Sequence, residues 1–115
     1  MKELYQEDNE SYRDEYSIAL GNQSFQCVFM KKFAQAEQYA REALPIDPSK
    51  HWINANLAAA LLFQGRYDEA EQIYRQYKDE LKDGFLADFE EFEKAGVIPE
   101  ECKADVERIK KMLNK

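Results

Sequence analysis

The sequence is poor in the residues that most catalytic chemistry and most non-helical architectures need. It has one histidine, two cysteines, one tryptophan, three prolines and four glycines among 115 residues. With His51 alone, two-histidine metal patterns are excluded, and any serine–histidine or cysteine–histidine pair would have to be built around that single ring. Four scattered glycines make no phosphate-cradling loop. Cys27 and Cys102 stand 75 positions apart, which is neither a metal-ligand spacing nor the density of a disulfide-stapled domain. Both read as reduced thiols, and Cys27, among Phe25, Val28 and Phe29, as a small buried hydrophobe. No apolar run approaches the roughly 20 residues that cross a bilayer. The opening Met1–Asp8 is acidic where an export signal would be basic and then greasy, so the chain reads as soluble and cytoplasmic.

Positive charge is also scarce. Sixteen Lys and Arg face 23 Asp and Glu, a net charge of −7. Residues 79–93 hold Asp79, Glu80, Asp83, Asp88, Glu90, Glu91 and Glu93 against Lys82 alone. Such a surface repels phosphate, so nucleic acid and anionic membranes are excluded as partners. The plainest account of the run is a solvated helix face. Glu90-Glu91 and Glu100-Glu101 are adjacent residues that point in different directions on a helix, so neither pair makes a catalytic dyad. No catalytic residue, metal site or cofactor is expected.

What the chain does have is a helical composition and a repeat. Hydrophobic residues make up 44% and charged residues 34%, a balance that suits a soluble helical protein. At this length one core is expected, hence a single domain over 1–115. Lys32-Phe33-Ala34-Gln35-Ala36-Glu37-Gln38-Tyr39-Ala40-Arg41 falls on Arg66-Tyr67-Asp68-Glu69-Ala70-Glu71-Gln72-Ile73-Tyr74-Arg75 at a spacing of 34. Each copy reads as two helices, Ser17 to Met30 with Phe33 to Leu44, and Ile53 to Gln64 with Tyr67 to Leu81. Pro45 and Pro48 break the first copy, Gly65 supplies a left-handed helix end, and Asp83-Gly84 signals a further turn. A last hairpin is expected from Phe85 to Lys94, turned by Ala95-Gly96 and Ile98-Pro99, with a helix from Glu100 to Leu113. At the other end, Leu4, Tyr5, Tyr12 and Tyr16 are spaced for partial helix packing, with Ser11 as N-cap.

At these residues the chain resembles the tetratricopeptide repeat family, whose unit is a helix–turn–helix of 34 residues. Leu57, Ala58, Leu61, Gly65, Tyr67, Ala70 and Tyr74 match its pattern. Ser24, Phe33, Ala36, Ala43 and Asp47-Pro48 match in the first copy. The resemblance implies an all-α fold, a right-handed superhelical stack of antiparallel helix hairpins. It divides as an N-terminal extension or start of the first helix over 1–16, repeats over 17–50 and 51–84, and a degenerate capping hairpin over 85–115. Three positions depart from the pattern. Gln23 replaces a Leu, Tyr77 an Ala and Lys82 the terminal Pro, and the bulk of Tyr77 predicts a non-standard seat for the next hairpin.

In this family the first helices of successive repeats line a concave groove that receives a peptide or partner helix. Carried over by position, the lining is Ile18, Gly21, Asn22, Phe25 and Phe29, then Trp52, Ala55, Asn56, Ala59 and Phe63. Asn22, Phe25, Phe29, Trp52, Asn56 and Phe63 are the implied partner-binding residues, with aromatic anchors and two amides able to pair with a backbone. The same stripe also suits a core face covered by flanking segments, and both readings stand at this level. A clamp for acidic chaperone tails is disfavoured, because only Asn56 matches it. Gly21 and Phe25 stand where the clamp needs Lys and Asn.

The expected function is a non-catalytic module that binds a protein or peptide. The alternative is a structural cap or self-association segment of a larger protein, forming a homodimer, since three or more repeats are usual in a free-standing array. Catalysis enters only if the module docks an enzyme encoded elsewhere. Ala36→Leu or Ala70→Leu should force the paired helices apart, at about 1–3 kcal/mol, and an unchanged thermal midpoint in either variant would refute the register.

Overall fold

The computed structural model describes residues 9–115. The expectations on Leu4 and Tyr5 lie outside the described residues. Among the described residues six α-helices run in order: α1 Asn9–Phe29, α2 Phe33–Ile46, α3 Ile53–Phe63, α4 Tyr67–Gln76, α5 Lys78–Ala95 and α6 Lys103–Leu113, the last led in by a 3₁₀ turn at Glu100–Cys102. The fold is all-α, with α1 against α2, α2 against α3 and α3 against α4 in a stack of antiparallel hairpins. Among the described residues, no helix is long and apolar enough to cross a membrane.

Small side chains set how closely the helices approach. Ser24, Ala36, Ala58 and Ala70 have no solvent exposure. The Ser24 hydroxyl donates to the Ala36 carbonyl at 2.7 Å, so a polar group at the crossing is satisfied within it. α3 is buried nearly all round, from Ile53 to Phe63 with only Ala55 partly open, because it lies between α1, α2, α4 and α5. The repeated Glu and Arg positions form matching pairs, Arg41 with Glu37 at 2.8 Å and Arg75 with Glu71 at 2.9 Å. Glu37 also accepts from Gln64 at 2.9 Å and pairs with Arg66 at 2.8 Å, tying α2 to the turn between α3 and α4. Burial raises its carboxyl, but the bonds from Gln64, Arg41 and Arg66 outweigh this and hold it below the ordinary value.

Four expectations need correction. Within the described residues α1 runs from Asn9, ahead of Ser17, so Ser11 falls inside the helix and not at its first residue. The early turns are held by distant groups. Arg13 donates to the Ile46 carbonyl at 2.7 Å, and Asp14 pairs with Lys50. Pro45 does not stop α2 at Leu44; the helix runs two residues further, to Ile46. Asp47 N–H closes the end on the Ala43 carbonyl at 3.3 Å. The second copy breaks at Tyr77 and not near Leu81. At this counterpart of fully buried Ala43, the phenol ring cannot take the alanine's place in the contact. Finally, Asp83-Gly84 is no turn. With Lys82 where the family pattern has a proline, α5 runs straight through it.

Three helix ends close by the same device. Lys31, Gly65 and Gly96 are left-handed, with φ of 60°, 82° and 69°. The next N–H reaches back five residues, from Lys32 to Cys27 at 2.8 Å, Arg66 to Leu61 at 3.0 Å and Val97 to Phe92 at 3.2 Å. These are Schellman ends, and they place the three hairpins in one register. Seven residues before each stand Ser24, Ala58 and Phe89. The third hairpin thus carries a phenyl ring where the first two carry a small side chain. Phe89 packs on Tyr74 at 5.5 Å between ring centres, and α6 leans on α4 as well as on α5.

Lys31 is the only non-glycine residue with positive φ among the described residues, and an L side chain is disfavoured there by roughly 1–2 kcal/mol. Lys31→Gly should therefore stabilise the fold by about 0.5–1 kcal/mol after the glycine's greater unfolded freedom is counted. Urea unfolding checks this. A midpoint at or below that of the wild type would contradict the turn assignment.

Candidate functional site

The face formed by α1, α3 and α5 divides into a closed end and an open end. At the closed end Phe92 of α5 reaches across the stack. Its ring centre lies 5.8 Å from Phe25, 5.1 Å from Phe29 and 5.6 Å from Phe63. Phe33 adds an edge contact to Phe63 at 5.4 Å. Phe63 is 4% exposed and Phe29 half-buried, so these two sit in the aromatic cluster beneath α5.

At the open end a cavity of about 290 Å³ is lined by Asn22 and Phe25 from α1 and by Trp52, Ala55 and Asn56 at the start of α3. Leu81, Gly84, Phe85 and Asp88 of α5 form its other side. The structure thus brings Asn22, Phe25, Trp52 and Asn56 together, and leaves Phe29 and Phe63 at the closed end.

Trp52 is positioned by the turn that precedes it. Asp47 accepts the Ser49 N–H at 3.2 Å and pairs with Lys50 at 3.1 Å; both neighbours hold its carboxyl below the ordinary value. Lys50 reaches α1 through Asp14, and His51 Nδ1 meets Glu80 of α5 at 2.8 Å. The turn is therefore fixed on both flanks. The indole then lies on Gly21, so closely that a Cβ there would come 2.6 Å from the ring. Glycine is needed at 21 for this approach. Asn56, 3% exposed, donates to the Gly21 carbonyl at 2.9 Å, so its amide nitrogen fixes α3 to α1. Trp52 stays 38% exposed.

The α5 wall was not foreseen from the sequence, which assigned Gly84 to a turn and Phe85–Lys94 to a cap. A signal existed. Leu81, Gly84, Phe85 and Asp88 are spaced as one helix face, which only an unbroken helix through Asp83-Gly84 would produce. A Cβ at Gly84 would meet nothing within 4 Å, so the cavity is open on that side. Phe85 is held edge-on by Tyr74 at 4.8 Å. Tyr74 is fully buried, which pushes its phenol well above the usual value.

Asp88 is the one charged residue in the lining. Burial first, and the Glu91 charge second, push its carboxyl up to about 6. No hydrogen bond or ion pair joins that carboxylate to another described residue.

A family model for the tetratricopeptide repeat matches residues 30–87. The chain belongs to the tetratricopeptide repeat family. The match spans α2, α3 and α4 and ends inside α5, so it takes in the Trp52 turn and part of the α5 wall. Repeats of this family generally mediate protein–protein interaction. No curated protein and no solved structure matches the chain.

The raised Asp88 value carries a stability consequence. The folded state binds a proton near pH 6 that the unfolded state binds only near pH 4. Stability from this group is thus complete below about pH 4 and is lost as pH rises through about 6. Asp88→Asn should raise the thermal midpoint at pH 7 by several degrees, for a gain of about 1 kcal/mol. The gain should shrink steadily as the pH is lowered from about 6 to about 4. A difference that is constant over that range, or absent at pH 7, would refute the environment assigned to Asp88.

Proposed function

We propose that this repeat protein is a non-catalytic interaction module that receives a partner segment at the open end of the α1–α3–α5 face. The supporting observation is the cavity beside Trp52, where a partly exposed indole is held on Gly21 without being covered by the other described helices. A tryptophan fixed in this way offers a large apolar surface at little entropic cost on binding. Asn22 and Phe25 extend the contact along α1, and Asn56 serves as a strut between helices. The partner is a protein or peptide, bound over the cavity rather than along the whole concave face, whose other end is filled by Phe92.

Filling the cavity tests this reading. Ala55→Phe places a ring in the opening while leaving the Gly21 and Asn56 contacts in place. Wild type and Ala55→Phe are compared by affinity capture from lysate of the source organism, alongside sedimentation and circular dichroism. The wild type should sediment as a monomer and retain a partner that Ala55→Phe loses by tenfold or more, with the helical signal of both alike. Equal capture would contradict the reading. A dimer in which Trp52 is inaccessible to quenchers would favour self-association instead.

A further inference from the structure

We propose that the cavity at the open end is a receptor for one cationic side chain, a lysine or arginine of a basic partner segment, seated between Trp52 and Phe25 with its charge at Asp88. This rests on the interaction reading above and specifies its chemistry.

Size comes first. About 290 Å³ lies at the lower edge of small-molecule pockets, room for one long side chain and not for a peptide backbone. The lining comes second. Apart from Asp88 it is uncharged, with aromatic and aliphatic walls from Phe25, Trp52 and Leu81. A long aliphatic stem packs on such walls while its charged head stays in a polar spot. A cation over an indole face gains further from the ring quadrupole.

Charge complementarity decides the sign. Asp88 has no cationic partner among the described residues, and no Lys or Arg lines the cavity. Of the six other acidic residues in 79–93, Glu80, Glu90 and Glu93 pair with His51, Lys94 and Lys110, while Glu91 adds its charge to that of Asp88. An incoming anion or carboxylate would meet repulsion from Asp88 and Glu91, whereas a cation is drawn in. Asp88 is already half withdrawn from water in the free protein. Much of the desolvation that ordinarily offsets a new ion pair is therefore incurred on folding, so binding recovers a larger share of the attraction. An arginine can in addition lie flat on the indole and fork to the carboxylate.

The experiment uses the full chain and a random dodecapeptide library displayed on phage. After selection on immobilised wild type, an enriched peptide is synthesised together with analogues in which each Lys or Arg is replaced by norleucine or citrulline. Trp52, the single tryptophan, reports binding directly by fluorescence. Wild type should enrich peptides with a fixed Lys or Arg beside an apolar residue. The neutral analogue at that position should bind at least tenfold more weakly, and Asp88→Asn should weaken the cationic peptide by the same factor while leaving the neutral analogue unchanged. Circular dichroism of Asp88→Asn shows that the fold is retained.

Selected peptides that depend on the cavity, being lost with Ala55→Phe, but that lack a required cation would overturn this inference and leave the interaction reading standing. So would basic peptides that bind Asp88→Asn as well as wild type, since they would be using the acidic surface at large. If no selected peptide is sensitive to Ala55→Phe, the interaction reading itself fails, and this inference with it.

Discussion

The Ser24 hydroxyl, bonded to the Ala36 carbonyl where α1 crosses α2, marks the spacing on which the rest of the molecule depends. Because neither side chain extends beyond two heavy atoms, the helix backbones come close enough for Val28, Ala40 and Ala43 to be shut from solvent. Ala58 and Ala70, 34 residues further on, reproduce the condition in α3 and α4. The third hairpin breaks it with Phe89. That one change of size turns the last hairpin from a third equal layer into a lid. α6 shifts onto α4, and α5 is left free to lay Phe92 over the aromatic residues of α1 and α3.

The site is a product of that arrangement. A third hairpin seated like the first two would have continued the concave face. Instead, α5 begins directly after Tyr77, with no loop, and crosses the face so that one end is sealed and the other left open. The same helix supplies both the closing ring and the cavity's only charge, with Phe92 about one turn beyond Asp88. Closure and charge thus belong to one element, and neither can be changed without regard to the other.

How much of this could be read beforehand depends on the kind of interaction. Small residues, the Gly65 turn and the 34-residue period are local and chemical, and they led to the family and the all-α fold. The break between Met30 and Phe33 was legible, but the left-handed backbone of Lys31 within it was not, because a lysine carries no mark of positive φ; only its register with Gly65 gives it away. The early start of α1 rests on Arg13 and Asp14 finding Ile46 and Lys50, pairings over more than thirty residues that no local pattern encodes. Pro45 marked the end of α2 only to within a residue or two, since the helix takes in Pro45 and Ile46 before it ends. At the site, the positions on α1 and α3 could be carried over from the repeat. Asp88 and the α5 wall could not, since they depend on a helix passing through an Asp-Gly pair that ordinarily turns.

Gly21, beneath the indole, and Gly84, in the cavity lining, differ in what they permit. At 21 there is no room for even a methyl group beneath the indole, whereas at 84 a side chain would grow into open space. One wall is therefore locked to the fold and the other is free to drift. A lineage carrying this module could alter the depth of its cavity one carbon at a time from position 84, on a helix that would gain propensity by losing its glycine, without disturbing the crossings that hold the stack together. Inheritance of the architecture and divergence of what it admits are thereby assigned to different residues.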